Sequence, residues 1–306
     1  MCALALGKIR KVAGTMQSKG EDGRRERRLE KGMLTSKGFL CRRMLGEGTF
    51  SRVYWVEAAS GGKSYACKVS ENKKLLEQEA QVLILLEHPL FPKYFDFWQE
   101  GGRGFLLREC VAGTSLEEML GRRRHFSENR TICMGLELAR GLAYLHGRQE
   151  RFLFRDMKPA NIVLRQDGRL KLIDLGCVCS LNERVSSRAG SPGFAAPEQL
   201  QEGGVLAPAS DVYGLGQTLK AVLGEGRTEH YQKTETREKR AFSDSIFPKQ
   251  GFFGRRGSKE PTWKQRMMRA KLLSVLNACT QEEAWKRIPD MGSLERELQR
   301  LMDKGL

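Results

Sequence analysis

Phe154-Arg155-Asp156-Met157-Lys158-Pro159-Ala160-Asn161, followed by Asp174-Leu175-Gly176, is the stretch on which the reading of this chain turns. A lysine stands two residues after Asp156 and an asparagine five residues after it, in one compact loop. Asp174 comes at the end of a short hairpin, in which Ile162–Arg165 and Leu170–Ile173 turn about Gln166-Asp167-Gly168. Two carboxylates, one cation and one amide in this order are what phosphoryl transfer from a nucleotide requires. One carboxylate orients the attacking hydroxyl and the cation meets the moving phosphoryl group. The amide and the second carboxylate hold Mg²⁺. An ordinary polar surface loop rarely carries such a run by chance.

The loop resembles the catalytic loop of protein kinases, His-Arg-Asp-x-Lys-Pro-x-Asn in its usual form, with Phe154 in the place of His. Leu175 likewise replaces the usual Phe of Asp-Phe-Gly, an apolar-for-apolar change. The resemblance implies that Asp156 orients the substrate hydroxyl and accepts its proton, and that Lys158 neutralises the γ-phosphate. It also implies that Asn161 and Asp174 hold Mg²⁺.

Upstream, Gly46-Glu47-Gly48-Thr49-Phe50-Ser51-Arg52-Val53 lies between two predicted strands and resembles the kinase glycine-rich loop, with Ser51 where the third glycine usually stands. Glycines let backbone N–H groups approach phosphate oxygens closely. Tyr65-Ala66-Cys67-Lys68-Val69 resembles the strand that carries the phosphate-binding lysine. A lysine in an apolar strand needs an anionic partner. The nucleotide phosphates and one helix glutamate would satisfy it. Glu79 is that glutamate in register with the following Leu85-Leu86-Glu87-His88-Pro89 ending, and Glu77 is the alternative. Eleven positions separate Lys68 from Glu79, fewer than is usual in the family, so the connection into the helix must be tight. Leu106-Leu107-Arg108-Glu109-Cys110-Val111 resembles the last small-lobe strand and the hinge. Arg108 then falls at the back of the nucleotide pocket, where a charge needs a partner; either it points elsewhere or the register shifts by one. The resemblance implies an ATP site built from Gly46, Glu47, Gly48, Phe50, Val53, Ala66, Lys68, Glu109, Val111 and Val163.

Downstream, Gly190-Ser191-Pro192-Gly193-Phe194-Ala195-Ala196-Pro197-Glu198 resembles the end of a kinase activation segment. Ser191 stands where a threonine hydroxyl usually bridges the catalytic aspartate and lysine. Ser210-Asp211-Val212-Tyr213-Gly214-Leu215-Gly216 resembles the start of the central large-lobe helix, where Asp211 braces the catalytic loop. Arg287 matches the arginine that pairs with Glu198. Ser186, Ser187 and Ser191 are hydroxyls between Asp174 and Glu198. The first two are the candidate phosphosites, with Arg155 as the group that would receive the phosphate. The motifs run in order from Gly46 to Arg287, roughly four-fifths of the chain.

The implied fold class is α+β: a bilobal protein-kinase-like fold with a small β-sheet lobe bearing one helix and a larger, mostly helical lobe. Short strands are expected at Leu40–Leu45, Arg52–Glu57, Ser64–Val69, Tyr94–Gln99 and Gly104–Glu109. A helix is expected over Glu71–Glu87, with Ser70 as its cap, and another after Ser127. Residues 1–37 are polar and basic and read as a mobile extension. The kinase domain is placed at 38–303: small lobe 38–109, hinge 110–113 and large lobe 114–303. A basic insertion of sparse structure is expected at about 224–262, its Lys and Arg enrichment running on to Lys271.

The chain has 306 residues, 40% of them apolar, enough for sizeable cores. A formal charge of +16 favours anionic partners without choosing among nucleotides, acidic protein, nucleic acid and lipid. Its eight cysteines include no Cys-x-x-Cys, so reduced thiols in a cytoplasmic protein are expected. The start Met1-Cys2-Ala3-Leu4-Ala5-Leu6 places its basic residues after the apolar run, the wrong order for a signal peptide. No run approaches the ~18 apolar residues of a membrane span.

Together these features imply an ATP- and Mg²⁺-dependent serine/threonine protein kinase of the soluble bacterial type, acting on protein hydroxyls, with acidic acceptors favoured. The Lys158-Pro159 pair points to Ser/Thr over Tyr specificity. A pseudokinase scaffold, binding nucleotide without turnover, is the alternative. A small-molecule phosphotransferase fits less well because of Ala196-Pro197-Glu198. Nucleic-acid binding has no aromatic-interleaved basic motif to carry it.

Overall fold

Five short runs become five strands, with glycine-containing turns joining the first to the second, the second to the third and the fourth to the fifth. The computed structural model describes residues 23–48, 51–122, 125–181, 189–225 and 262–304. The strands β1 (Phe39–Glu47), β2 (Ser51–Ala58), β3 (Ser64–Ser70), β4 (Tyr94–Glu100) and β5 (Arg103–Glu109) form one sheet in the order β1-β2-β3-β5-β4. Every neighbour in it is antiparallel. The expected strand positions agree with these to within a few residues at each end.

The chain divides into two compact units. The first takes the described residues up to Ala80 together with Tyr94–Cys110, and so contains this sheet. Side chains alternate across it. One face buries Tyr54, Val56, Cys67, Val69, Phe105 and Leu107, and Leu34 completes that core. Leu34 belongs to helix α1, residues 23–36. This departs from the expected extension with little structure over 1–37: from residue 23 onward the chain is helical and caps one face of the sheet. Residues 1–22 lie outside the described residues. The opposite face carries Lys68 and Ala66, with Val53, Leu106 and Arg108 as their register partners or next-but-one neighbours.

Helix α2 (Lys73–Leu85) follows β3 after only Glu71 and Asn72. Asn72 caps it, since its Oδ1 accepts the Leu75 N–H at 3.1 Å. Ser70, the expected cap, instead accepts the Asn72 N–H at 3.1 Å, which turns the chain out of the strand. The cap thus sits two residues later than expected, and this keeps the connection short.

The second unit comprises Gln81–Lys93 and the described residues from Val111 onward. Its longest helix is α4 (Glu128–His146), which follows α3 (Leu116–Gly121). Ser127 caps α4 by accepting from the Arg130 N–H at 3.4 Å, and Gly147 ends it. Ile132, Leu136, Ala139, Leu142 and Leu145 are all buried along one stripe. After the short helix α5 (Pro197–Leu200), helices α6 (Pro208–Leu223), α7 (Trp263–Cys279) and α8 (Met291–Lys304) pack against α4. A Cβ on Gly135 would come within 2.8 Å of Leu298 and 3.0 Å of Leu219, so glycine lets α4 approach α6 and α8 closely. Each buried leucine here contributes about 1.5–3 kcal/mol of burial. Apolar packing therefore dominates the stability of this unit.

Two small sheets also stand among the described residues of this unit. Strands β6 (Gly113–Ser115), β8 (Ile162–Arg165) and β9 (Leu170–Leu172) pair in the order β6-β8-β9. Strand β7 (Phe152–Leu153) pairs with β10 (Cys179–Ser180). The basic segment 226–261 lies outside the described residues. Helix α7 begins just after it, in a capping box between Thr262 and Gln265. Among the described residues, no helix is long and apolar enough to cross a membrane.

Candidate active site

The sequence-derived site residues fall into two groups, one in each unit. In the first unit Lys68, near the end of β3, and Glu79, on α2, are both buried. Lys68 Nζ lies 2.6 Å from Glu79 Oε2. The two-residue connection between β3 and α2 accommodates the short Lys–Glu spacing. Glu77, the alternative, is half-buried two residues earlier on the same helix. Burying either charge alone would be costly, and the pairing offsets that cost.

Val53 stands opposite Lys68 on β2, and Gly46 stands opposite Val53 on β1. Ala66 pairs with Arg108 of β5, and Glu109 pairs with Tyr65. The β3–β5 pairing runs without interruption, and Arg108 is buried on the sheet face that carries Ala66 and Lys68. Gly46, Glu47 and Gly48 lead out of β1, and the Gly48 N–H donates to the Ser51 carbonyl at 2.8 Å. Phe50 lies outside the described residues.

The second unit holds Val111, Val163 and the loop of Asp156, Lys158 and Asn161. This loop is braced from beneath by Asp211 of α6, which is only 1% exposed. Its Oδ2 accepts the Phe154 N–H at 2.8 Å and its Oδ1 the Arg155 N–H at 2.7 Å. Arg155 has φ 67°, a left-handed conformation that costs a non-glycine residue about 1–3 kcal/mol. The two charge-assisted bonds to Asp211 offset that strain. His146, at the end of α4, adds a third contact to Asp211 at 2.8 Å. Phe154 is buried, so the aromatic in place of His is held by packing.

Ser191 ties the end of the activation segment to this loop. Its hydroxyl donates to Asp156 Oδ1 at 2.8 Å and accepts from Lys158 Nζ at 2.7 Å. Lys158 Nζ also lies 2.7 Å from Asp156 Oδ2. Asn161 Nδ2 donates to the Asp156 carbonyl at 2.9 Å and to its Oδ2 at 3.0 Å. With its nitrogen so engaged, the amide of Asn161 has its oxygen as the acceptor. The Ile173 N–H donates to the Asn161 carbonyl at 2.9 Å, which fixes the backbone next to Asp174 against that residue. One amide oxygen and one carboxylate are hard donors, and they fit Mg²⁺, which takes few protein ligands and completes its shell with phosphates and water.

Glu198 and Arg287 form a fork with contacts of 2.6 and 2.8 Å. Ser210 donates to Glu198 at 2.7 Å. Burial pushes the Glu198 carboxyl up, but the bonds from Arg287 and Ser210 outweigh it and hold the group below its ordinary value of 4.5. The resulting stabilisation is present above that ordinary value and is lost as pH falls through the lowered one. Thermal unfolding of the protein from pH 6 down to about 3 should therefore fall more steeply than that of Glu198→Gln, which cannot titrate there. Parallel curves would remove Glu198 as an acid-sensitive anchor.

Three residues of this assembly escaped the sequence reading: His146, Gln199 and Ser210 as a partner of Glu198. Gln199 Nε2 donates to the Arg155 carbonyl at 2.7 Å and the Ala189 carbonyl at 3.1 Å. Its place directly after Ala-Pro-Glu was the available signal. Gly190, with φ 130°, lets the segment close, because a Cβ there would stand 2.6 Å from the Ala195 Cβ. Ser186 and Ser187 lie outside the described residues.

A family model described as "Protein kinase domain" matches residues 39–298. The chain belongs to the protein kinase family. Among similar curated proteins is the human "Putative serine/threonine-protein kinase PRKY", 32% identical over 187 residues, covering 58% of this chain and 66% of that one. The mouse "Serine/threonine-protein kinase Nek5" is 34% identical over 188 residues, covering 58% of this chain and 29% of the relative. Mouse "Beta-adrenergic receptor kinase 1" is 30% identical over 203 residues, covering 62% and 29%. The matched part thus spans two thirds or less of each relative's length. The five-stranded antiparallel sheet of the first unit and the helices of the second make this kinase chain a mixed α+β protein.

Proposed function

We propose that this chain is an active serine/threonine protein kinase that transfers the γ-phosphoryl group of ATP to protein hydroxyls. The observation that carries this reading is the hydrogen-bonded set of Asp156, Ser191 and Lys158. In it the acceptor-orienting carboxylate, the phosphate-neutralising cation and the end of the activation segment are joined. The acceptor hydroxyl gives its proton to Asp156 as its oxygen forms the new P–O bond and the bond to the leaving ADP breaks. Lys158 neutralises the γ-phosphate, and Lys68, held by Glu79, binds the α- and β-phosphates. Gly46, Glu47 and Gly48 approach the phosphates through their backbone, while Val53, Ala66 and Val163 enclose the adenine and Glu109 and Val111 bond its edge. Asn161 and Asp174 would hold Mg²⁺, which when bound neutralises charge on the phosphates.

As part of the same proposal, we place the kinase domain at 38–303 and the protein in the cytoplasm. Incubation with [γ-³²P]ATP and generic acceptor proteins, with and without Mg²⁺, tests the reading. Label on Ser or Thr only with Mg²⁺ supports it. No label above a blank in either condition overturns it.

The basic segment 224–262 and Arg155 suit acidic acceptors and phosphate, respectively. Phosphate is expected on Ser186 or Ser187, where it would pair with Arg155 and order the segment. Mass spectrometry after incubation with ATP should find it there, and Ser186→Ala combined with Ser187→Ala should lower the rate. An unchanged rate in that double variant contradicts this regulation.

Two observations favour a second reading, a scaffold that binds nucleotide without turnover: Phe154 in place of His, and a buried Arg108 on the sheet face of Lys68.

A further inference from the structure

Helix α1 lies before the matched kinase region, yet it reaches the root of the glycine-rich loop. Leu34 supplies the apolar contact to the sheet. One turn earlier on the same side, Glu30 is 2% exposed. A carboxylate is a costly choice for such a place unless charges and hydrogen bonds satisfy it. Three do. Tyr54 Oη donates to Glu30 Oε2 at 2.5 Å, and Arg52 donates to Oε1 at 2.8 Å. Arg103 Nε lies 3.4 Å from Oε1. Burial and the bond to Glu30 both push the Tyr54 phenol up, so it stays a donor.

Arg52 is a fork with further tines. It donates to Glu26, one turn before Glu30, at 2.5 Å. Through Nε it donates to Glu47 Oε1 at 2.9 Å. The other oxygen of Glu47 lies 3.4 Å from Arg27 of α1. Glu47 stands between Gly46 and Gly48 and is the register partner of Arg52. A cavity of about 150 Å³ in this region is lined by Glu26, Glu30, Gly48, Ser51 and Arg52 among others, so the helix side chains directly face the loop root. The contacts on Arg52 use three nitrogens for three carboxylates, which only a planar guanidinium can do.

We propose that Glu30 is a positioning residue for nucleotide binding: it fixes the Arg52 fork, which fixes Glu47 and so holds the root of the glycine-rich loop. The proposal rests on the reading that this loop binds ATP. Helix α1 is then part of the working enzyme, and a ligand or modification that undocks it would weaken ATP binding without touching acceptor chemistry.

The test uses the full chain and calorimetric binding of Mg²⁺ with a non-hydrolysable ATP analogue, beside KM for ATP and for the acceptor. Glu30→Gln removes the charge and keeps the shape; Glu47→Gln does the same at the loop. Each should weaken nucleotide binding about fivefold or more, the lower end of typical coupling between sites. The double variant should be no worse than either single, because both break one chain of contacts. The acceptor KM should stay within about twofold, well below that coupling. If Glu30→Gln does not fold, Arg52→Lys replaces it, since an ammonium cannot bridge the same three carboxylates. Unchanged nucleotide affinity in these variants, or effects that multiply in the double, overturns the proposal alone. A parent protein that binds no nucleotide overturns the kinase reading and this proposal with it.

Discussion

Asp156→Asn is expected to lower kcat about 10²–10⁴-fold, the span for loss of a positioned general base. The carboxylate is buried, and its Oδ1 accepts from Ser191 while its Oδ2 accepts from Asn161 and faces Lys158. Asparagine keeps the volume but turns one of these oxygens into an amide nitrogen. That nitrogen cannot accept the acceptor's proton, and it meets a donor whichever way the amide points. Nucleotide affinity should stay within about twofold, because the interaction removed belongs to the transition state. Steady-state kinetics with nucleotide binding measured in parallel checks both halves. Full activity in this variant would sink the mechanism whatever the fold.

Arg287→Ala is expected to cost on the order of 3 kcal/mol in stability, at the low end for breaking a buried ion pair. The Arg287 side chain is fully buried, and it bonds Glu198 twice as well as three backbone carbonyls, of Gln281, Glu282 and Ala209. It also stacks 4.9 Å from the Tyr213 ring. Removal strands those acceptors together with the Glu198 carboxylate. The low end applies because Glu198 keeps its bond from Ser210 and is 13% exposed. Denaturant unfolding should show the loss at constant slope. Arg287→Lys should recover only part of it, since an ammonium cannot reproduce the fork. A change below about 0.5 kcal/mol, the ordinary scatter of surface substitutions, would make this pair an ornament.

Much of the candidate site was legible because its residues are local in the chain. Asp156, Lys158 and Asn161 lie within six residues, and hairpin spacing delivers Asp174. The strands were legible from their alternation and glycine turns. Helix α1 was not. Arg24-Arg25-Glu26-Arg27-Arg28 reads as a solvated charge run, and nothing local says that Arg52, from a strand beyond β1, will pair with Glu26 and Glu30. The cap of α2 was misplaced for a similar reason. Ser70 and Asn72 are both good caps, and the choice depends on where β3 stops pairing. His146 was missed because its role exists only once α6 brings Asp211 beneath the catalytic loop.

The most direct test of the central claim is a single-turnover experiment that separates binding from transfer. The protein is loaded with substoichiometric [γ-³²P]ATP, mixed with Mg²⁺ and an acceptor protein, and quenched over time. The account predicts that ADP appears in step with label on acceptor Ser or Thr, and that Asp156→Asn binds the same nucleotide but slows this step by about 10²-fold or more. Nucleotide bound by the parent protein and recovered intact at every time point would contradict it and leave the scaffold reading in its place.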